Sequence, residues 1–111
     1  MKQIDYDMAR AFSKAEKTAK SNTAVVISED WDKVYLTLHW NIIAARPIDS
    51  NDLTLHLPIR WQTQTTKSRI NAVFEEMDYP ISIKAIKTIW FFMMPDWTKK
   101  PVEPGTNFIH K

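Results

Sequence analysis

Two stretches decide the fold: Val34-Tyr35-Leu36-Thr37-Leu38-His39-Trp40-Asn41-Ile42 and Leu53-Thr54-Leu55-His56-Leu57-Pro58-Ile59-Arg60. In the first, Val34, Leu36, Leu38, Trp40 and Ile42 share one side, and Tyr35, Thr37, His39 and Asn41 share the other. In the second, Leu53, Leu55, Leu57 and Ile59 alternate with Thr54, His56, Pro58 and Arg60. A period of two is that of a half-buried strand. Pro47 to Asn51 separates the runs, so they read as an antiparallel hairpin. With the loop centred near Ile48-Asp49, Trp40 opposes Leu57 and Ile42 opposes Leu55, and the apolar sets coincide. Tyr35, His39, Asn41, His56 and Arg60 then gather on the polar side. Pro58 has no N–H to give a ladder, which predicts an edge strand or a bulge there.

Upstream, Ile4, Met8, Ala11, Phe12, Ala15 and Ala19 recur at helical spacing. Asp5 and Asp7 at the start and Lys17 and Lys20 at the end suit the helix dipole, predicting a helix over 4–20 that Ser21-Asn22 stops. Ala24-Val25-Val26-Ile27 is β-branched and reads as a short strand before the turn Glu29-Asp30-Trp31-Asp32. Downstream, Ile70, Val73, Phe74 and Met77 predict a helix over 66–78, capped by Thr65 or Thr66 and ended by Pro80. The apolar segment Ile81 to Met94 loses its alternation near Ala85-Ile86. It reads as a bulged strand, with a helix as the alternative. Ile89 to Met94 shows no polar side, as for a central strand covered on both faces. From 95 onward Pro95, Pro101 and Pro104 predict an extended C-terminal tail over 95–111, pinned by Trp97 and Phe108, beside a single domain over 1–94.

The expected architecture is therefore α+β, in the order α-β-β-β-α-β. A mainly antiparallel sheet of about four strands has two helices over one face.

Composition narrows function by exclusion. The 111 residues include no Cys, which removes disulfides, thiolate chemistry and Cys-bound zinc. The single glycine, Gly105, rules out phosphate-cradling glycine loops and a nucleophile elbow. Fifteen basic and 13 acidic residues give a net charge of +2, too balanced to imply nucleic-acid binding by charge alone. Neither a signal-length apolar stretch nor a membrane-length run occurs, so the expectation is a cytoplasmic protein without a membrane partner.

Four features remain, each with an ordinary explanation beside it. The face of Tyr35, His39, Asn41, His56 and Arg60 is a candidate docking platform, although a solvated antiparallel sheet is polar by default. Thr65-Thr66-Lys67-Ser68-Arg69 sets two cations against the helix dipole. Lys67 and Arg69 there suit a phosphate or an acidic side chain, or else are simply solvated. Five Trp, five Phe and three Tyr are an interface-like load. Trp40, Phe12 and Phe74 belong to predicted core faces, while Trp31 sits in a charged turn where an exposed indole wants a reason. The strand Ile89–Met94 needs cover, from a homodimer, a protein partner, the tail or the first helix. His39, His56 and His110 lack metal-ligand spacing, the carboxylates form no catalytic pattern, and no cofactor motif occurs.

The helix start Thr-Thr-Lys-Ser-Arg-Ile-Asn-Ala at 65–72, after an alternating strand, resembles small bacteriophage proteins. The likeness covers about a fifth of the chain and transfers no functional residue. The sequence thus points to a small non-enzymatic binding protein that docks a sheet face or apolar strand onto a macromolecular partner. A phage or mobile-element accessory or inhibitor role fits the resemblance. Nucleic-acid binding through Lys67, Arg69, Arg60 and the sheet aromatics is the alternative.

Overall fold

The computed structural model describes residues 3–109. It has helix α1 (Gln3–Lys14), strands β1 (Thr18–Lys20), β2 (Thr23–Ile27), β3 (Lys33–Leu38), β4 (Asn41–Pro47) and β5 (Leu53–Leu57), and a 3-10 turn at Ile59–Trp61. Helix α2 (Gln64–Glu76), β6 (Ser82–Ile86), β7 (Ile89–Met93), β8 (Lys99–Pro101) and β9 (Gly105–Ile109) follow. One sheet has the order β1-β2-β3-β4-β5-β9 and a second the order β6-β7-β8. Every pairing is antiparallel. The α+β class and the helix-first order hold, with six strands rather than four in the main sheet.

The run 34–42 is two strands. His39 and Trp40 both have positive φ, 50° and 67°, and form a two-residue turn between Leu38 and Asn41. Such a turn matches the twist of its strands and usually contains Asn or Gly. Here the alternation runs on through it, which hid it from the pattern. The stretch 34–38 consequently pairs with β2 and β4 rather than with β5. Ala44, not Ile42, opposes Leu55. The slip is two residues, so β5 keeps its predicted faces. A bulge between Leu36 and Thr37 on one side and Ile42 and Ala44 on the other turns Ile42 outward and buries Ile43. β5 is not an edge strand: it lies between β4 and β9 and stops at Leu57, before Pro58.

The same turn geometry recurs at Lys87-Thr88, with φ of 50° and 69°, so 81–94 is a hairpin instead of a bulged strand or a helix. β7 is central, as expected, but cover is one-sided: Trp90 and Phe92 are buried, while Ile89 is exposed. Residues 99–101 and 105–109 form strands. Trp97 and Phe108 pin nothing, being 81% and 67% exposed.

The helices cover one face of the six-stranded sheet. Met8, Ala9 and Phe12 of α1 and Ile70, Val73 and Phe74 of α2 pack with Val25, Leu36, Ala44, Leu55 and Leu57. Ile83, Trp90, Phe92 and Val102 join that core from the second sheet. α1 ends at Lys14, five residues before Ala19, because Ala15 turns to φ 56° and Arg46 takes the last carbonyls. Arg46 reaches across from β4 and donates to the carbonyls of Phe12 (2.8 Å) and Ser13 (2.9 Å), and to those of Pro47, Ile48 and Ser50. A cation at a helix C-terminus is favoured by the dipole, and here five carbonyls stand in for a carboxylate. α2 is capped by Thr63, whose Oγ1 accepts from Thr66 N–H at 3.2 Å, two to three residues before the expected cap.

Candidate docking face

The registers fix which side chains point away from the helices. One row runs Val26, Tyr35, Ala45, Thr54, Phe108 across β2, β3, β4, β5 and β9. Beside it lie Ala24, Thr37 and Ile42 across β2, β3 and β4, and His56 paired with Thr106 across β5 and β9. Phe108, Val26 and Ile42 are exposed, whereas Ala24, Thr37 and Ala45 between them are buried. Trp40, which is 86% exposed, leans over the end of these rows. It lines one groove with Ala24 and Thr37 and another, of about 510 Å³, with Ile42, His56, Trp61 and Thr106. The left-handed turn explains that position, since it points the indole outward instead of into the predicted core face. Among the paired positions on this face the one formal charge is Lys33, at a corner.

The predicted site residues divide into three groups. Tyr35 and His56 lie on the outward face, and His56 Nδ1 is 3.3 Å from Thr106 Oγ1. His39 and Asn41 border that face, His39 lining the groove of Ala24, Thr37 and Trp40 and Asn41 the groove of Ile42 and His56, and both meet Arg60 at the sheet end. The three line a cavity of about 290 Å³ there, beside Trp61 and Thr66. His39 Nε2 is 3.3 Å from Asn22 Nδ2, and the Arg60 guanidinium lies 5.6 Å from the Trp61 ring centre. Both histidines thus contact neutral groups.

The basic cluster on α2 does not exist as a surface feature. Arg69 is 6% exposed and points into the core, where it pairs with Asp5 of α1 and donates from Nε to Thr23 Oγ1 at 3.0 Å. Position 69 lies one turn before Val73 on the buried side of the helix, which the count of cations at the helix start obscured. Lys67 remains half-buried and apart from it. Trp31 is 60% exposed in its turn, with Lys17 Nζ 4.9 Å from the ring centre. That contact gives the indole a local partner and separates it from the sheet face.

Sequence reasoning missed Val26, Trp40, Ile42, Ala45 and Phe108 as parts of this surface. Trp40 and Ile42 needed the turn and the bulge to be seen. Phe108 needed the tail to be a sixth strand. Among the described residues no three His, Cys, Asp or Glu side chains are placed to hold one metal ion. His110 lies outside the described residues. No helix among the described residues is long and apolar enough to cross a membrane.

A family model described as Kyanoviridae Gp96 protein matches residues 1–109. The chain belongs to that family. It is accordingly a phage protein, in line with the resemblance of its second helix start. No curated protein and no solved structure matches it.

Proposed function

We propose that this phage protein is a non-enzymatic binding protein that docks the outward face of its six-stranded sheet onto another protein. A single observation supports the reading. A sheet face that merely meets water is expected to be polar, yet this one presents Val26, Tyr35, Ile42, Phe108 and Trp40 around small residues, with one charge. Depletion of charge and enrichment in aromatic residues mark the centre of protein interfaces. Phosphate backbones demand the opposite, several cations on one surface. With Arg69 buried, the nucleic-acid alternative loses one of its three cations.

The role is that of an accessory or inhibitory protein acting by occupancy rather than by chemistry, in the cytoplasm of the host. Expression of the tagged chain in infected host cells tests it. The wild type should retain a defined protein on the resin at high salt, and Phe108→Asp should lose it. Release by nuclease or by moderate salt would instead indicate nucleic acid, and equal retention by the variant would remove the face from consideration.

A further inference from the structure

We propose that the second sheet binds single-stranded nucleic acid along its outer face, with Lys84 and Lys99 meeting phosphates and Phe91 and Trp97 stacking on bases. This surface belongs to β6-β7-β8 and is separate from the docking face of the six-stranded sheet.

The pairings decide which side chains point outward. Ile83, Trp90 and Phe92 point into the core, so their neighbours along the strands point away from it. One outer row is Ser82, Met93 and Lys99, and the next is Lys84, Phe91 and Pro101. Ile86 beside Ile89 ends the face. Phe91 and Met93 are half-buried, while Lys84, Ile86, Ile89, Lys99 and Pro101 are exposed. Each apolar side chain at the centre of the face therefore has a lysine as its cross-strand neighbour, Lys84 for Phe91 and Lys99 for Met93.

Trp97 adds a second ring at the end of β7. It stands exposed in the turn to β8, at φ 67°. The turn is fixed without help from the indole. Met94 N–H donates to Thr98 O at 2.9 Å, and Trp97 N–H donates to Met94 O at 3.0 Å. The Asp96 carboxylate accepts from the Thr98 N–H at 3.1 Å and from its hydroxyl at 2.6 Å. The ring thus lines a groove of about 320 Å³ with Tyr79, Ser82 and Met93, and Met93 leads on to Lys99. A rigid turn that presents an unused aromatic face loses little freedom when a base stacks on it.

Charge selects a polyanion. Residues 82–101 hold four lysines, Lys84, Lys87, Lys99 and Lys100, against Asp96 alone, a balance of +3, while the whole chain carries +2. The net positive charge of the molecule is therefore concentrated in this sheet. Lys87 sits in the turn before β7, and Lys100 points to the other side of the edge strand β8. Among the described residues none of the four pairs with a carboxylate, and Asp96 is engaged by Thr98. Glu103 follows outside the sheet, its backbone tied to Asn107. Cations interleaved with accessible rings suit a single strand, whose phosphates meet the ammonium groups and whose unpaired bases offer their faces. An acidic protein segment brings charge without such faces. An anionic bilayer wants its apolar contacts gathered on one penetrating surface, whereas Ile86 and Ile89 lie at one end of β7 and Trp97 at the other, about 17 Å or more apart along the strand.

Fluorescence anisotropy of a labelled oligothymidylate of about 15 nucleotides is the test. The purified chain should bind it with a dissociation constant of about 1–100 µM at physiological salt, and log K should fall against log salt with a slope of about −2 to −3. Lys84→Gln and Lys99→Gln should each make that slope shallower by about 0.7. Trp97→Ala should weaken binding at least about fivefold at unchanged slope, while Trp97→Phe, which keeps a stacking face, should stay within about twofold of the wild type. Circular dichroism shows that each variant is folded. Binding of an oligouridylate in place of the DNA supports the proposal equally. No binding of either strand at about 100 µM overturns it, as does a slope unmoved by both lysine variants, an affinity unmoved by Trp97→Ala, or equal binding of a duplex or of polyglutamate. Retention of the chain by vesicles of phosphatidylserine and phosphatidylcholine, with no binding of the oligonucleotides, overturns it in favour of a bilayer. Phe108→Asp should leave oligonucleotide affinity unchanged. Its loss there would move the nucleic acid to the six-stranded sheet and overturn both readings, whereas failure of the oligonucleotides alone leaves the docking face standing.

Discussion

At the scale of single residues, two arginines organise this small core in different ways. Arg69 is neutralised by Asp5 and held by Thr23, tying α2 to α1 and to β2. Removing one partner leaves a buried charge without its mate, so Asp5→Ala or Arg69→Met should each destabilise the chain by about 3–5 kcal/mol, read from the urea midpoint. Replacing both together should cost less than the sum, because neither charge is then stranded. Among the described residues Arg46 pairs with no carboxylate. Burial pushes its guanidinium below the usual arginine range, and its N–H groups donate to five carbonyls. Asp7 responds to pH in a defined direction. Its hydrogen bond from Lys20 Nζ at 2.8 Å, helped by Gln3, holds its carboxyl below the ordinary value. A carboxylate depressed on folding contributes stability at neutral pH that is lost as pH falls through the carboxylate range. Lys20→Met should therefore flatten the acid side of a stability–pH curve.

At the scale of elements, the chain builds tight hairpins with residues ill suited to them. Thr88 is β-branched and sits at φ 69°, where such a residue is strained. Lys87→Asn with Thr88→Gly should stabilise the second sheet by about 1 kcal/mol, measured by thermal unfolding. The His39-Trp40 turn bears the same kind of strain at the rim of the docking face, where it holds the indole outward. Asn71 provides a second element-scale device. Its side-chain amide donates to Ile83 O at 3.1 Å and accepts from Ile83 N–H at 2.7 Å, so a helix side chain substitutes for a missing strand beside β6. Asn71→Ala should accelerate hydrogen exchange at the Ile83 amide and cost about 1–3 kcal/mol.

The legibility of these elements in the sequence follows from the same physics. α2 was readable because Ile70, Val73, Phe74 and Met77 keep the helical period, although its cap lies earlier, at Thr63; β2 was readable from its β-branched run, and β5 because Leu53, Leu55 and Leu57 alternate cleanly up to Pro58. The turns at His39-Trp40 and Lys87-Thr88 were not readable. Neither contains Gly, Asn or Asp, and the apolar alternation of Leu38, Trp40 and Ile42 continues through the first without a break. The C-terminus of α1 was hidden because Ala15 and Ala19 sustain the helical spacing, while the cause of termination, Arg46, is 34 positions from Phe12. Of the site, Tyr35 and His56 were found by alternation alone, whereas Phe108 depends on a pairing between positions more than 50 apart.

At the scale of the whole molecule, the last strand closes the structure. β9 pairs along all of β5, from Leu53 opposite Ile109 to Leu57 opposite Gly105. The Asn107 side chain accepts from Glu103 N–H at 3.0 Å and donates to the Glu103 carbonyl, locking the loop before β9. Truncation after Glu103 would bare the length of β5 as an unprotected edge. The shortened chain should aggregate on expression, as seen by light scattering, even though the core residues of both helices are intact. The exposed indole on the β3–β4 turn also gives the molecule a built-in optical readout. With Trp31 and Trp97 replaced by Phe, ultraviolet-excited emission would be dominated by three tryptophans, of which Trp40 alone is nearly fully hydrated. A shift of that emission toward shorter wavelength on titration would then follow face occupancy in real time, without any label attached.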